Sequence, residues 1–76
     1  MMRNDNINYI EDILSDYMNK YGTQKYLELI NSNNLLKKYV DLISKIDNDD
    51  YPRSYMNIIS DNDLKTIIEY LKNTII

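Results

Sequence analysis

The sequence predicts an all-α protein, a compact bundle of four or five short helices forming a single domain over residues 1–76. Three observations carry that expectation. Apolar residues recur at three- and four-residue steps through most of the chain. Breakers are scarce, with one glycine and one proline. β-branched residues are plentiful, yet none alternates with the period of two that a half-buried strand requires.

The first helix is the clearest. Ile7, Ile10, Leu14, Tyr17 and Tyr21 follow the helical step, and Ile13 and Met18 widen the stripe. Asn4 or Asp5 is the expected cap, and Gly22 the left-handed stop. Thr23 then caps a short second helix carrying Tyr26, Leu27, Leu29 and Ile30. The run Asn31 to Asn34 (NSNN) ends it and supplies the next cap. A third helix points Leu35, Leu36, Tyr39, Val40, Ile43 and Ile46 inward, with Lys37, Lys38, Asp41, Ser44 and Lys45 outward.

Asp47 to Pro52 (DNDDYP) reads as a loop, and Pro52 suits the first turn of a short fourth helix holding Tyr55, Met56, Ile58 and Ile59. Ser60 to Asp63 (SDND) has the spacing of a capping box. The last helix buries Leu64, Ile67, Ile68, Leu71 and Ile75. The stretch YLELINSNNLLKKYVDLI from Tyr26 also resembles YMNIISDNDLKTIIEYL from Tyr55 once one residue is gapped. A duplicated αα-hairpin would produce that likeness, and so would two unrelated amphipathic helices behind similar caps.

Composition removes several function classes. With no cysteine there are no disulfides and no thiolate metal sites, and with no histidine the commonest metal ligand and general base are gone. No cofactor and no metal are expected. Asp47, Asp49 and Asp50 invite a calcium reading, but an EF-hand counted from Asp47 would put Tyr51 at position five, Pro52 at six and Ile58 at twelve. None of the three fits. Carboxylate sets such as Glu11 with Asp12, Asp61 with Asp63, and Glu69 sit where ordinary solvation explains them, and a chain this short struggles to enclose a substrate. The sole glycine excludes a phosphate-cradling loop. The expectation is that this is not an enzyme.

Charge separates along the chain. Residues 1–19 hold Arg3 against Asp5, Glu11, Asp12 and Asp16, whereas residues 20–46 hold five lysines against Glu28 and Asp41. The isoelectric point near 4.7 argues against nucleic acid as the partner, since DNA binders carry a basic face. Alanine, the best helix former, is absent, while isoleucine, asparagine, tyrosine and lysine abound. That pattern fits an AT-rich genome, such as that of a low-GC bacterium, its phages or mobile elements, or a poxvirus. The polar start MMRNDNIN and the lack of a long apolar run lead to the expectation of a cytoplasmic protein, of the source cell or of an infected host, with no membrane partner.

What remains is recognition of another protein. Asp5, Asp12 and Asp16 fall opposite the apolar stripe of the first helix, with Tyr9 beside them; Tyr51 and Arg53 lie in the aspartate-rich loop. Tyrosine is a favoured interface anchor. These six residues are the candidate partner-binding set. The expected function is a non-catalytic protein-binding protein of a phage, virus or mobile element that inhibits or modulates a host protein, with the acidic face as a candidate DNA mimic. The alternatives are a small DNA-binding regulator using the third helix, and an immunity or assembly protein acting as a homodimer.

Overall fold

A computed structural model of the protein describes residues 2–75, with side chains from Asn4 to Ile75. It contains α1 (Met2–Tyr21), α2 (Thr23–Asn31), α3 (Asn34–Asp47), a 3₁₀ segment (Arg53–Ile58) and α4 (Asp61–Ile75), with no strand among the described residues. The all-α expectation holds.

α1 starts earlier than its expected caps. Asn4 and Asp5 lie inside the first turn instead of before it, so neither is the N-cap. Asp5 there complements the positive end of the helix dipole. The stop at Gly22 is as expected: its N–H donates to the Met18 carbonyl at 2.9 Å, and its φ of 90° is a left-handed value. Gly22 alone joins α1 to α2. Thr23 is consequently the first residue of α2 rather than its cap, and the capping position belongs to Gly22, which has no side chain to offer. The α2 start relies on backbone alone.

The Asn-rich corner behaves as its chemistry requires. Ser32 closes α2, its N–H reaching the Leu29 carbonyl at 3.2 Å and its hydroxyl the same oxygen at 2.6 Å. Asn33 caps α3 from an extended backbone, its Oδ1 accepting from the N–H groups of Leu35 and Leu36, both at 3.0 Å. The Ser32 hydroxyl is also hydrogen-bonded to the Tyr70 hydroxyl on α4, which ties this corner to the last helix.

α3 ends in a left-handed cap made without glycine. Asp49 has φ 63°, its N–H bonds the Ile46 carbonyl at 3.1 Å, and the Asp50 N–H bonds the Lys45 carbonyl at 2.9 Å. The aspartate loop is therefore built by backbone bonds that satisfy the end of a helix.

The segment after Pro52 is a 3₁₀ helix, not the α-helix its spacing suggested, and this redistributes its side chains. A 3₁₀ helix has three residues per turn, so positions three apart eclipse. Met56 and Ile59 turn inward as one row, and Tyr55 and Ile58 turn outward as another, 41% and 53% exposed. The expected four-residue apolar face is thereby split in two. α4 follows the expectation closely. Ser60 Oγ accepts from the Asp63 N–H at 3.1 Å while the Ser60 N–H reaches Asp63 Oδ2 at 3.4 Å, a reciprocal capping box. Leu64, Ile67, Ile68 and Leu71 are buried behind it.

These elements share one core. Ile10 and Leu14 from α1, Leu29 from α2, Leu36, Tyr39, Leu42 and Ile46 from α3, Ile59, and the four buried residues of α4 form one cluster. Each fully buried aliphatic side chain contributes roughly 1.5–3 kcal/mol relative to exposure. α1 packs on α2 and α4, while α3 touches α2, the 3₁₀ segment and α4. The radius of gyration, 12.0 Å, is close to the roughly 11 Å expected of a packed chain this long. Five residues expected on the apolar faces lie outside this core: Met18, Tyr21, Leu27, Tyr55 and Ile58 are exposed, whereas Leu42 joins it.

Candidate functional site

The outer face of α1 is set by helical periodicity. Ile10 and Leu14 are buried on one side, which leaves Asp5, Asp12 and Asp16 exposed on the other. At 1.5 Å rise per residue their spacing along the axis is about 10.5 Å and then about 6 Å. Tyr9 marks the edge of this face toward α4. It is 39% exposed, and Lys72 of α4 places its Nζ 5.9 Å from the ring centroid. The tyrosine is thus held by a cation–π contact while much of its ring stays in solvent.

The other edge of the face, one helical row away, carries Asn4, Asn8 and Glu11. These residues form one wall of a cleft of about 610 Å³. The end of α3 and the 3₁₀ segment form the rest, contributing Ile43, Ile46, Asp47, Arg53, Met56 and Asn57. Ile46 is buried, and Ile7, Ile43 and Met56 are half-buried, so they make an apolar floor. The polar members are exposed and stand around the rim. Of the six candidate residues, Arg53 alone lines this cleft.

Tyr51 faces a different, shallower hollow with Lys38, Asp41, Leu42, Lys45 and Ile58. Its ring lies 4.7 Å from that of Tyr55, and Lys45 Nζ sits 5.3 Å from its centroid. Lys45 is half-buried by this contact, unlike the fully outward lysine expected from the helical wheel; Lys37 and Lys38 are exposed. The candidates therefore form three neighbourhoods rather than one. Asp5, Tyr9, Asp12 and Asp16 share the α1 face, Arg53 stands on the cleft rim, and Tyr51 belongs to an aromatic pair.

The sequence reading assigned none of the remaining cleft residues to a binding site. Asn4, Asn8 and Glu11 follow an i, i+4, i+7 row that was legible as a helix edge, but nothing local shows that Asp47 and Asn57 lie across from it. Among the described residues, no three His, Cys, Asp or Glu side chains come close enough to share a metal ion. No helix among them is long and apolar enough to cross a membrane.

One polar group lies in the core itself. Tyr39 is 1% exposed, and its hydroxyl has no hydrogen-bond partner among the described residues. Burial pushes its pKa well above the ordinary tyrosine value, and Glu11 and Tyr26 act in the same direction. Burial also raises Tyr26. A folded pKa above the unfolded value of about 10 leaves stability intact below that pH. Above it the unfolded chain releases the proton first, so stability falls as pH rises toward the folded pKa. Tyr39→Phe is expected to stabilise the protein by about 1 kcal/mol at pH 7, because an unsatisfied buried hydroxyl is removed. It should also remove the Tyr39 part of the alkaline loss, leaving that of Tyr26. Urea unfolding at neutral pH and above pH 10 reads both effects. A destabilised Phe variant would show that the hydroxyl has a partner.

No protein-family model, no curated protein and no solved structure matches this chain.

Proposed function

We propose that the protein is a non-catalytic binder of another protein and that the outer face of α1 is its contact surface. The observation that carries this reading is the arrangement of Asp5, Asp12 and Asp16, all exposed along one helix, beside a partly exposed Tyr9 held by Lys72. Carboxylates on such a face steer a basic partner, and a preoriented tyrosine anchors it at low entropic cost. The biological setting in this reading is a phage, virus or mobile element whose product inhibits or modulates a host protein in the cytoplasm. A row of carboxylates spaced about 10.5 Å and then about 6 Å along a helix axis also suits a surface that occupies a DNA-binding channel, which makes DNA mimicry the narrower form of the proposal.

The experiment is affinity capture from host lysate with the tagged protein and with a Tyr9→Ala, Asp12→Lys, Asp16→Lys variant. The aspartates are exposed, so their reversal should shift stability by only about ±0.5 kcal/mol. Losing the contact of Tyr9 with Lys72 adds about 0.5–1 kcal/mol. The variant should stay folded by circular dichroism and lose the partner. A folded variant that captures the same protein equally well defeats the reading.

A second reading, a DNA-binding regulator, draws on the exposed Lys37 and Lys38 of α3. A mobility shift at moderate salt that vanishes on changing Lys37, Lys38 and Lys45 to Glu would favour it over protein binding. The third, an immunity or assembly protein acting as a homodimer, draws on the exposed Tyr21, Leu27 and Ile58. Descent by duplication of an αα-hairpin stands beside these as a proposal from the sequence likeness of the segments starting at Tyr26 and Tyr55.

A further inference from the structure

The cleft between α1, the end of α3 and the 3₁₀ segment has a charge pattern that ordinary solvation of one helix face does not produce. Its rim holds two carboxylates, Glu11 and Asp47, and one guanidinium, Arg53, brought together from three elements. Among the described residues none of the three is held in an ion pair with another. Opposite charges around one cleft that do not neutralise each other remain available to a ligand. The amides of Asn4, Asn8 and Asn57 add donors and acceptors between them, and Ile7, Ile43, Ile46 and Met56 supply an apolar floor. The volume, about 610 Å³, falls in the range of small-molecule sites, roughly 300–1,000 Å³.

The complement of two carboxylates and one guanidinium is a ligand with two cationic groups and one carboxylate. We propose that this cleft binds free arginine, which carries an α-ammonium, a guanidinium and a carboxylate together. In this assignment Arg53 takes the ligand carboxylate through a two-pronged guanidinium–carboxylate bond. Glu11 and Asp47 accept from the ligand's cationic groups, and the aliphatic stem of the side chain lies on the isoleucine and methionine floor. A guanidinium suits this rim better than an ammonium does, because its five planar donors can engage carboxylates and asparagine carbonyls together. The assignment goes beyond the α1 face and does not require that face to meet a protein.

The test is titration of the isotope-labelled protein with small probes, followed by nuclear magnetic resonance of backbone and asparagine side-chain amides. L-Arginine should shift the side-chain signals of Asn4, Asn8 and Asn57. L-Norleucine, which keeps the stem and loses the terminal charge, should bind at least about tenfold more weakly, as should L-argininamide, which loses the carboxylate. Nα-acetyl-L-arginine, which loses the α-ammonium, should bind about tenfold more weakly, and binding as tight as arginine's would overturn the two-cation assignment. Glu11→Gln, Asp47→Asn and Arg53→Gln replace exposed groups and should leave the fold unchanged by circular dichroism while each weakens arginine about tenfold. Absence of shifts at millimolar arginine overturns the proposal. So does equal binding of norleucine, or full arginine binding by the three folded variants. Because the probes need no protein partner, failure here leaves the α1 capture experiment standing, and failure of capture leaves this one standing.

Discussion

Leu36→Ala is expected to destabilise the protein by roughly 2–5 kcal/mol. Leu36 is fully buried at the start of α3, the helix that touches α2, the 3₁₀ segment and α4. Truncating it removes apolar contact and leaves a cavity that three packed elements cannot all close over. A chain of this length has a total stability of about 4–11 kcal/mol, so the loss is a large share of it. Urea unfolding followed by circular dichroism should show a sharply lowered midpoint, or no folded baseline at all. Leu36→Met keeps the volume and should cost less than about 1.5 kcal/mol, which separates cavity formation from general intolerance at this site. An alanine variant within about 1 kcal/mol of the parent would mean that α3 does not pack as described.

Gly22→Ala should be the other severe substitution, for a reason unrelated to packing. A Cβ at this position would meet nothing within 4 Å, so no clash opposes it. The obstacle is the backbone itself. Gly22 has φ 90° and ψ 169°, a region that L-residues with a side chain avoid, and holding one there costs about 1–3 kcal/mol. Relaxation to negative φ would re-aim α2 relative to α1, and no second linker residue exists to absorb the change. The mirror substitution supplies the control. D-alanine, placed by chemical synthesis, accepts positive φ and restricts the unfolded chain, so it should stabilise by about 0.4–1 kcal/mol. Thermal melts of the three proteins should rank D-alanine, glycine, L-alanine in descending order. Equal melts for the two alanine enantiomers would refute the backbone argument.

Both expectations concern the frame that presents the candidate surface. α1 carries the acidic row on one side and Ile10 and Leu14 on the other, so it can display charge only while its buried side is packed on α2 and α4. The link between them is direct at Tyr9, where a residue of the outer face is steadied by Lys72 of the last helix. A core substitution that loosened α4 would therefore blur the α1 face even with every aspartate in place. This is why fold integrity is measured alongside each surface variant.

Local chemistry by itself determined most of the helices. α4 was legible because the step from Leu64 to Leu71 and the Ser60–Asp63 box are both short-range, and short-range patterns survive in any context. A cap from the Asn31 to Asn34 run, which the structure places at Asn33, and the Gly22 stop were legible for the same reason. The exposure of Asp5, Asp12 and Asp16 followed from geometry, because a helix that buries Ile10 and Leu14 must turn those positions outward. Other features needed the tertiary structure. Tyr55, Met56, Ile58 and Ile59 fit an α-helical face in sequence, but between α3 and α4 the chain adopts the tighter 3₁₀ winding, and a change of period from 3.6 to 3 moves Tyr55 and Ile58 into solvent. Leu27 and Tyr21 continue the apolar stripes of their helices, yet each is 52% exposed because the packing of the other elements does not cover it. The cleft is the extreme case. Glu11, Asp47 and Arg53 come from three elements, and no periodicity relates them. Periodicity reports which side of a helix is apolar; the direction in which one helix leaves the next decides which polar edges face one another across a gap.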